Sequence, residues 1–122
     1  MKRFLPLFML ASVGLAQIQI HIEIPPPAII TITTAFQIAL MPSLVVIERD
    51  PEPQGIVVVY RSNRPYDVYT YHDRDLERRG WVRVRYRARG GGYESEYRRG
   101  RARARLEVED RHGRVRVKVH EE

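Results

Sequence analysis

The chain has 122 residues, with 21 basic and 15 acidic side chains and no cysteine. This length accommodates one small domain, and the lack of cysteine excludes disulfides, thiol catalysis, cysteine-bound metals and lipid attachment to an N-terminal cysteine. The charge is uneven: residues 78–118 contain fifteen Lys or Arg against five acids (+10), whereas residues 17–60 contain one basic side chain against four acids (−3). We therefore expect anionic partners to meet the C-terminal half.

Residues 1–16 are typical of a bacterial secretory signal. Lys2 and Arg3 form a positive start, an apolar stretch follows over residues 4–15, and Gly14 and Ala16 are small enough for a signal-peptidase site. We predict cleavage after Ala16 and export to the periplasm or the medium, with an uncleaved N-terminal anchor as the alternative.

Residues 17–55 are interpreted as a hydrophobic, β-rich arm that ends in a linker. Residues 17–24 alternate Ile with polar side chains, which predicts a half-buried strand before the three prolines at 25–27. Residues 28–47 carry no charge, but their Thr, Ile and Val content favours strands, at 28–34 and 43–48, with a helical turn as one interpretation of 36–41. No transmembrane span is expected in the mature chain. Residues 48–55 are polar and proline-punctuated, as linkers are.

Residues 56–122 are interpreted as the folded domain, which begins with an apolar strand at 56–61. A helix follows: Ser62 or Asn63 is the predicted cap, Pro65 suits the first turn, and Gly80 is the predicted stop. The apolar stripe of this helix consists of Val68, Tyr71, His72 and Leu76, with Trp81 packing back on its last turn.

Four strands with strict two-residue alternation complete the chain. The side chains predicted to share the inner face are Val82, Val84, Tyr86, Ala88, Tyr93, Ser95, Tyr97, Ala102, Ala104, Leu106, Val108, Val115, Val117 and Val119. The predicted fold class is α+β: one helix packed on an antiparallel, mostly meandering β-sheet, preceded by an extended hydrophobic β-rich arm.

The opposite parity gives an arginine-rich outer face, which is the predicted polyanion-binding surface. Its basic members are Arg83, Arg85, Arg87, Arg101, Arg103, Arg105, Arg114, Arg116 and Lys118. Glutamates at 94, 96, 107 and 109 share this parity, so cross-strand ion pairs are expected. A solvated face whose charges serve solubility explains the same pattern. The functional hypothesis is salt-sensitive binding of an anionic polymer or another component of the cell envelope.

Two other kinds of partner remain open. The tract around residues 89–105 resembles arginine-glycine RNA-binding segments, but its tyrosines share parity with the core valines, and export separates the protein from most nucleic acid. Nucleic acid is therefore disfavoured. A protein partner, or a second copy of the chain, is predicted to dock on residues 18–47.

Catalytic and metal sites are not predicted. His72 has Asp75 at i+3, which supplies two ligands, and Asp73 and Glu77 lie on the same helix. The three serines of the mature chain fit no nucleophile motif, and the glycines at 90–92 join two strands instead of opening a helix. We expect a non-enzymatic protein without cofactor or metal, and a small hydrolase is the disfavoured alternative.

Residues 58–81 resemble a module found in small exported bacterial proteins and lipoproteins of unknown function. The residues that carry the resemblance are Tyr60, Ser62, Val68, Tyr71, Leu76, Gly80 and Trp81. The resemblance implies a strand, a helix, a Gly-Trp stop and antiparallel strands, together with export. It implies no function.

Overall fold

A computed structural model describes residues 28–122, which form eight strands and one helix. Their bounds are β1 Ile29–Thr33, β2 Phe36–Ala39, β3 Val46–Glu52, β4 Gly55–Arg61, α1 Pro65–Arg78, β5 Val82–Arg89, β6 Gly92–Arg99, β7 Ala102–Asp110 and β8 Arg114–Glu121. Within this range, no helix has the length and apolarity needed to cross a membrane. The predicted signal peptide (1–16) and the strand predicted at 17–24 lie outside the described residues.

Six strands form one antiparallel sheet in the order β3-β4-β8-β7-β6-β5, and β1 and β2 form a separate hairpin. β5 to β8 are a meander, β4 pairs with β8, and β3 pairs with β4. Helix α1 packs against the sheet, most extensively on β7, and also contacts β2. The predicted α+β class, one helix on an antiparallel sheet, is confirmed.

The N-cap of the helix lies one residue after Asn63, the later of the two predicted caps. Its N-cap is Arg64, which makes no side-chain capping bond, whereas Ser62 Oγ accepts a hydrogen bond from Arg64 N at 3.0 Å. Pro65 explains the difference, because proline disfavours helical geometry in the residue before it while fitting the first helical position itself. The cap must therefore be the residue just before Pro65.

The predicted helix stop at Gly80 is confirmed. Gly80 has a φ of +93°, its N–H donates to Glu77 O at 3.0 Å, and Trp81 N–H donates to Leu76 O at 3.0 Å. These two bonds are those of a Schellman motif, in which a left-handed residue after the helix satisfies the last carbonyls. The motif turns Trp81 back into the core, where the side chain is 2% exposed.

The core lies between the sheet, the helix and the β1–β2 hairpin. Leu106 and Val117 of the sheet are fully buried, as are Val68 and Leu76 of the helix. The hairpin contributes another part of the same cluster, whose members are Ile30, Phe36, Ile38 and Leu40. Residues 28–40 therefore belong to the core of the domain.

Residues 48–52 are a strand, so the predicted linker is wrong over this stretch. β3 pairs with β4 in register, with Asp50 opposite Val57 and Pro51 opposite Ile56. Because β3 is an edge strand within residues 28–122, one row of its backbone groups faces away from the sheet, and a proline can stand there without removing a ladder bond. An edge strand can contain charges and prolines as a linker does, so composition does not distinguish the two.

The helical turn considered for residues 36–41 is not formed. Phe36–Ala39 is strand β2, in which Phe36 and Ile38 are fully buried and Gln37 between them is exposed. The alternation of burial is that of a strand with one face in the core.

The predicted burial of β5 is also wrong. Val82, Val84 and Tyr86 are 63%, 54% and 44% exposed, and all eight residues of the strand are exposed. The register with β6 shifts between Arg83 and Arg85. An extra residue in one strand reverses the parity on one side of it relative to the other, so Val82 and Arg83 have exchanged faces. Tyr86 keeps the predicted face, opposite Ser95, and is exposed because β5 is an edge strand within residues 28–122.

Candidate polyanion interface

The nine basic residues of the predicted surface occupy different environments. By register, seven of them share the outer face: Arg85, Arg87, Arg103, Arg105, Arg114, Arg116 and Lys118. Arg101 lies in the turn between β6 and β7. Arg83 is on the other side of the sheet.

Arg83 is the exception because of the β5 irregularity. Arg83 pairs with the inward-facing Tyr97, and its Nη1 lies 3.1 Å from Tyr69 Oη and 3.3 Å from Asp73 Oδ2 on the helix. The hydrogen bond to Tyr69 is the main cause that raises the pKa of Arg83. The predicted outward orientation of Arg83 is wrong, because the register shift turns this side chain toward the helix.

Arg105 is the centre of an ion-pair network on the outer face. Its guanidinium contacts Glu94 at 2.9 Å, Glu96 at 3.2 Å and Glu122 at 3.1 Å. Arg85 and Arg87 reach Glu96 and Glu94 at the longer distances of 3.5 Å and 3.6 Å. The register causes this arrangement, because Glu94 and Glu96 lie on β6, between the arginine-bearing strands β5 and β7.

The β8 side of the outer face is paired as well. Arg116 lies 3.5 Å from Glu109, and Lys118 lies 3.8 Å from Glu52. Val57 and Val59 are buried on this side, opposite Lys118 and Arg116 in the register. The aliphatic stems of such side chains cover apolar surface while their charged ends remain in water.

Six arginines cluster at one end of the sheet, which we call the arginine end. It combines the last turn of α1 with the β6–β7 turn, and its members are Arg78, Arg79, Arg98, Arg99, Arg101 and Arg103. Arg98 and Arg103 are directly opposite each other on neighbouring strands. In the part of the chain that the structure describes, Arg98, Arg101 and Arg103 have no carboxylate within 4.0 Å.

Two arginines of this end are held in fixed positions. Arg99 stacks on Trp81, with its Cζ 4.4 Å from the ring centroid, and donates to the carbonyl oxygens of Arg79 and Ala35. Arg79 donates through Nε to Asp75 at 3.1 Å. Together with Arg78, they line a depression of about 430 Å³ beside the β1–β2 turn. A guanidinium group has five N–H donors, so both retain donors for an anion.

The sequence prediction included only Arg101 and Arg103 from this end. The predicted surface did not include Arg78, Arg79, Arg98 or Arg99. The run Arg98-Arg99-Gly100-Arg101 contains the signal that was missed. This run concentrates three arginines at one turn and contains no acid.

The opposite end of the sheet has one comparable pair. Arg61 and Arg114 are directly opposite on β4 and β8, and both are exposed. Within residues 28–122, neither has a carboxylate within 4.0 Å. This pair lacks the neighbouring helix-end arginines.

The two candidate metal ligands on the helix have other partners. His72 is 1% exposed, and its Nε2 lies 2.9 Å from Tyr60 Oη. Asp75 Oδ2 accepts a hydrogen bond from Ala39 N at 2.9 Å. Burial lowers the pKa of His72 to about 4. These contacts fasten the helix to β2 and β4. Among the described residues, no three His, Asp or Glu side chains converge to hold a metal ion.

Comparisons of the chain with protein-family models, curated proteins and solved structures find no match.

Proposed function

We propose that this is an exported, non-enzymatic binding protein of the cell envelope or the medium, which binds anionic polymers through the arginine end. The observation that carries the proposal is the opposed pair Arg98 and Arg103, which has no carboxylate partner among residues 28–122, although Arg105 one pair along contacts three carboxylates. The export part rests on the predicted signal at residues 1–16.

The opposed arginines Arg98 and Arg103 cost the sheet free energy. Like charges directly opposite on neighbouring strands destabilise a sheet, whereas opposite charges contribute about 0.2–1 kcal/mol per pair. The sheet has the favourable arrangement at Arg105 and the unfavourable one at Arg98 and Arg103. A phosphate, sulfate or carboxylate group between these two guanidinium groups would remove the repulsion and form charge-assisted hydrogen bonds.

A polymer fits this end better than a single small anion. The arginines extend from the outer face at Arg103, around the turn at Arg101, to the depression beside Arg78 and Arg79. A chain with repeated anionic groups would contact several of them together and release several counterions on binding. Acidic polysaccharides and phosphate-containing envelope polymers have this chemistry.

The test is the affinity for heparin, measured by titration calorimetry with the mature chain. We expect R98Q/R103Q to lower the affinity roughly tenfold, because two charge-assisted contacts are lost. The matched control R61Q/R114Q removes the same charge from the other opposed pair and should change the affinity by less than about twofold. Equal losses in both variants would mean that only net charge matters, and unchanged binding in R98Q/R103Q would refute the proposal.

A second candidate is a protein-interaction module based on residues 18–47. Ile29 and Val45 are 49% and 56% exposed in this range. Deleting the segment is a poor test, because Phe36 and Ile38 belong to the core. I29S/V45S is sharper: loss of a co-purifying partner or of self-association, with heparin binding intact, would favour this function, and no change would count against it.

A further inference from the structure

The two edges of the six-stranded sheet differ in their protection. Edge strand β3 contains Pro51 and the acids Glu48, Asp50 and Glu52. Edge strand β5 has the sequence VRVRYRAR, without proline or acid. Within residues 28–122, nothing pairs with β5 on the side away from β6. Natural sheets protect a long edge with prolines, bulges or charges, because its free N–H and C=O groups can pair with another chain. The protection of β5 consists of its four arginines and the register shift between Arg83 and Arg85, so an acidic strand would remove the larger part of it.

The helix-side face of β5 continues into a tyrosine surface. Tyr86 and Tyr66 are 44% and 54% exposed. Their rings are linked through Tyr69 and Tyr93, with centroids 5.5 Å apart for Tyr69–Tyr86 and 5.3 Å apart for Tyr66–Tyr93. A strand added to β5 would therefore place every second side chain against exposed aromatic surface, which favours apolar residues there.

The opposite face of β5 keeps a positive excess. Arg85 and Arg87 share Glu96 and Glu94 with Arg105, and Arg105 has the shorter distances, 3.2 Å and 2.9 Å against 3.5 Å and 3.6 Å. Three guanidinium groups thus share two carboxylates, and Arg105 also contacts Glu122. Acidic side chains on an added strand would meet the incompletely neutralised Arg85 and Arg87. A second β5 would bring arginine beside arginine, which disfavours self-pairing.

We propose that residues 85–89 of β5 accept an extended acidic segment of a partner protein as a seventh strand. The register irregularity between Arg83 and Arg85 limits the site at one end, and the glycine turn at 90–92 limits it at the other. The segment would alternate acids, which pair with Arg85 and Arg87, with apolar residues that pack on Tyr86. Backbone hydrogen bonds would give affinity, and the alternating side chains would give specificity. This surface is separate from the arginine end.

The experiment titrates the isotope-labelled mature chain with a short capped peptide that alternates glutamate and valine, followed by amide NMR. We expect the largest shifts at residues 85–89 and slower hydrogen exchange of the β5 amides that point away from β6. The same peptide with N-methylated backbone amides keeps the charge and loses the pairing, and should bind at least about tenfold more weakly. R85Q/R87Q should weaken the unmodified peptide roughly three- to tenfold, while R61Q/R114Q, which removes the same charge from another opposed pair of the sheet, should leave its binding unchanged.

Three results would overturn the proposal. The first is equal binding of the N-methylated peptide, which would mean that only charge attracts it. The second is no binding of the unmodified peptide at millimolar concentration. The third is protection of the β5 amides in the peptide-free chain: if it rises with protein concentration the occupant is a second copy, and if it does not the chain covers its own edge.

Discussion

The two faces of the six-stranded sheet are built from the same alternating pattern but depend on different forces. The helix-side face is dry: Leu106 and Val117 are fully buried, and the polar groups among them, such as Tyr97 and Asp73, hydrogen-bond to each other. On β5, β6 and β7 the outer face is in contact with water, and its arginines and glutamates form partly exposed ion pairs. Burial contributes far more free energy per residue than exposed ion pairs do. Stability should therefore reside on the inner face, and the outer face and its arginine end are free to serve binding.

The largest effect should come from the inner face. Leu106→Ala deletes a fully buried side chain, and the transfer and cavity costs should lower the free energy of unfolding by about 2–5 kcal/mol. Val84→Ala is the control, since this valine was predicted on the same face but is 54% exposed, and it should change stability by less than about 0.5 kcal/mol. Urea unfolding followed by circular dichroism measures both. Comparable losses would contradict the exposure of β5.

The pH dependence of stability should report on His72. Its pKa is lowered to about 4 in the folded protein by burial, against an ordinary value of 6.5. Between these pH values the unfolded chain binds more protons, so the free energy of unfolding should fall as the pH drops from about 6.5 toward about 4, by on the order of 3 kcal/mol. His72→Gln should remove this part of the dependence, and the exposed-site control His112→Gln should retain it. A parallel pH profile in His72→Gln would be inconsistent with a buried neutral imidazole.

A smaller loss is expected from the polar part of the inner face. Tyr97 Oη donates to Asp73 Oδ1 at 2.7 Å, and both side chains are buried. Tyr97→Phe leaves this carboxylate with one bond fewer and should cost about 1–3 kcal/mol. Tyr86→Phe changes an exposed tyrosine of the same predicted parity and should have no measurable effect. Thermal unfolding of the two variants side by side separates the two environments.

The smallest effect should come from the outer face. Arg105 contacts three carboxylates but its side chain is 30% exposed, so Arg105→Gln should cost only about 1 kcal/mol, and less at high salt. Arg101→Gln, in the turn, should be within about 0.5 kcal/mol of the parent chain. A loss at Arg105 as large as that at Leu106 would mean that the outer face also carries the stability.

Much of the architecture follows from local sequence signals. Pro65, Gly80 and Trp81 specify the helix and its end, and the alternation in residues 102–119 specifies two strands with the correct face inward. The wrong predictions concern the two edge strands, where proline and exposed apolar residues are tolerated. At β3 a proline is harmless, and at β5 exposure and a register shift break the alternation. Strand position in the sheet is decided by non-local pairing, which a single sequence does not contain.

The residue types of the outer face could be predicted from the sequence, but the position of the arginines that lack an acidic partner could not. The alternation indicated an arginine-rich outer face interleaved with glutamates, and the register produces those ion pairs. Which arginines lack an acid depends on which strands are neighbours. Arg98 meets Arg103 because β6 pairs with β7 in this register, and Arg83 meets Asp73 because of the shift in β5.

The central claim is that the inner face provides stability and the arginine end provides binding. The most direct test measures the salt dependence of polyanion affinity and the free energy of unfolding in the same set of proteins. The affinity for double-stranded DNA, used as a polyanion of regular charge spacing, is measured at several salt concentrations for the parent chain, R98Q/R103Q and R61Q/R114Q, with urea unfolding in parallel. In R98Q/R103Q we expect the slope of log affinity against log salt to fall in magnitude by about two, while the free energy of unfolding changes by less than about 1 kcal/mol. An unchanged slope in this variant, or an equal fall in R61Q/R114Q, would contradict a binding function of the arginine end.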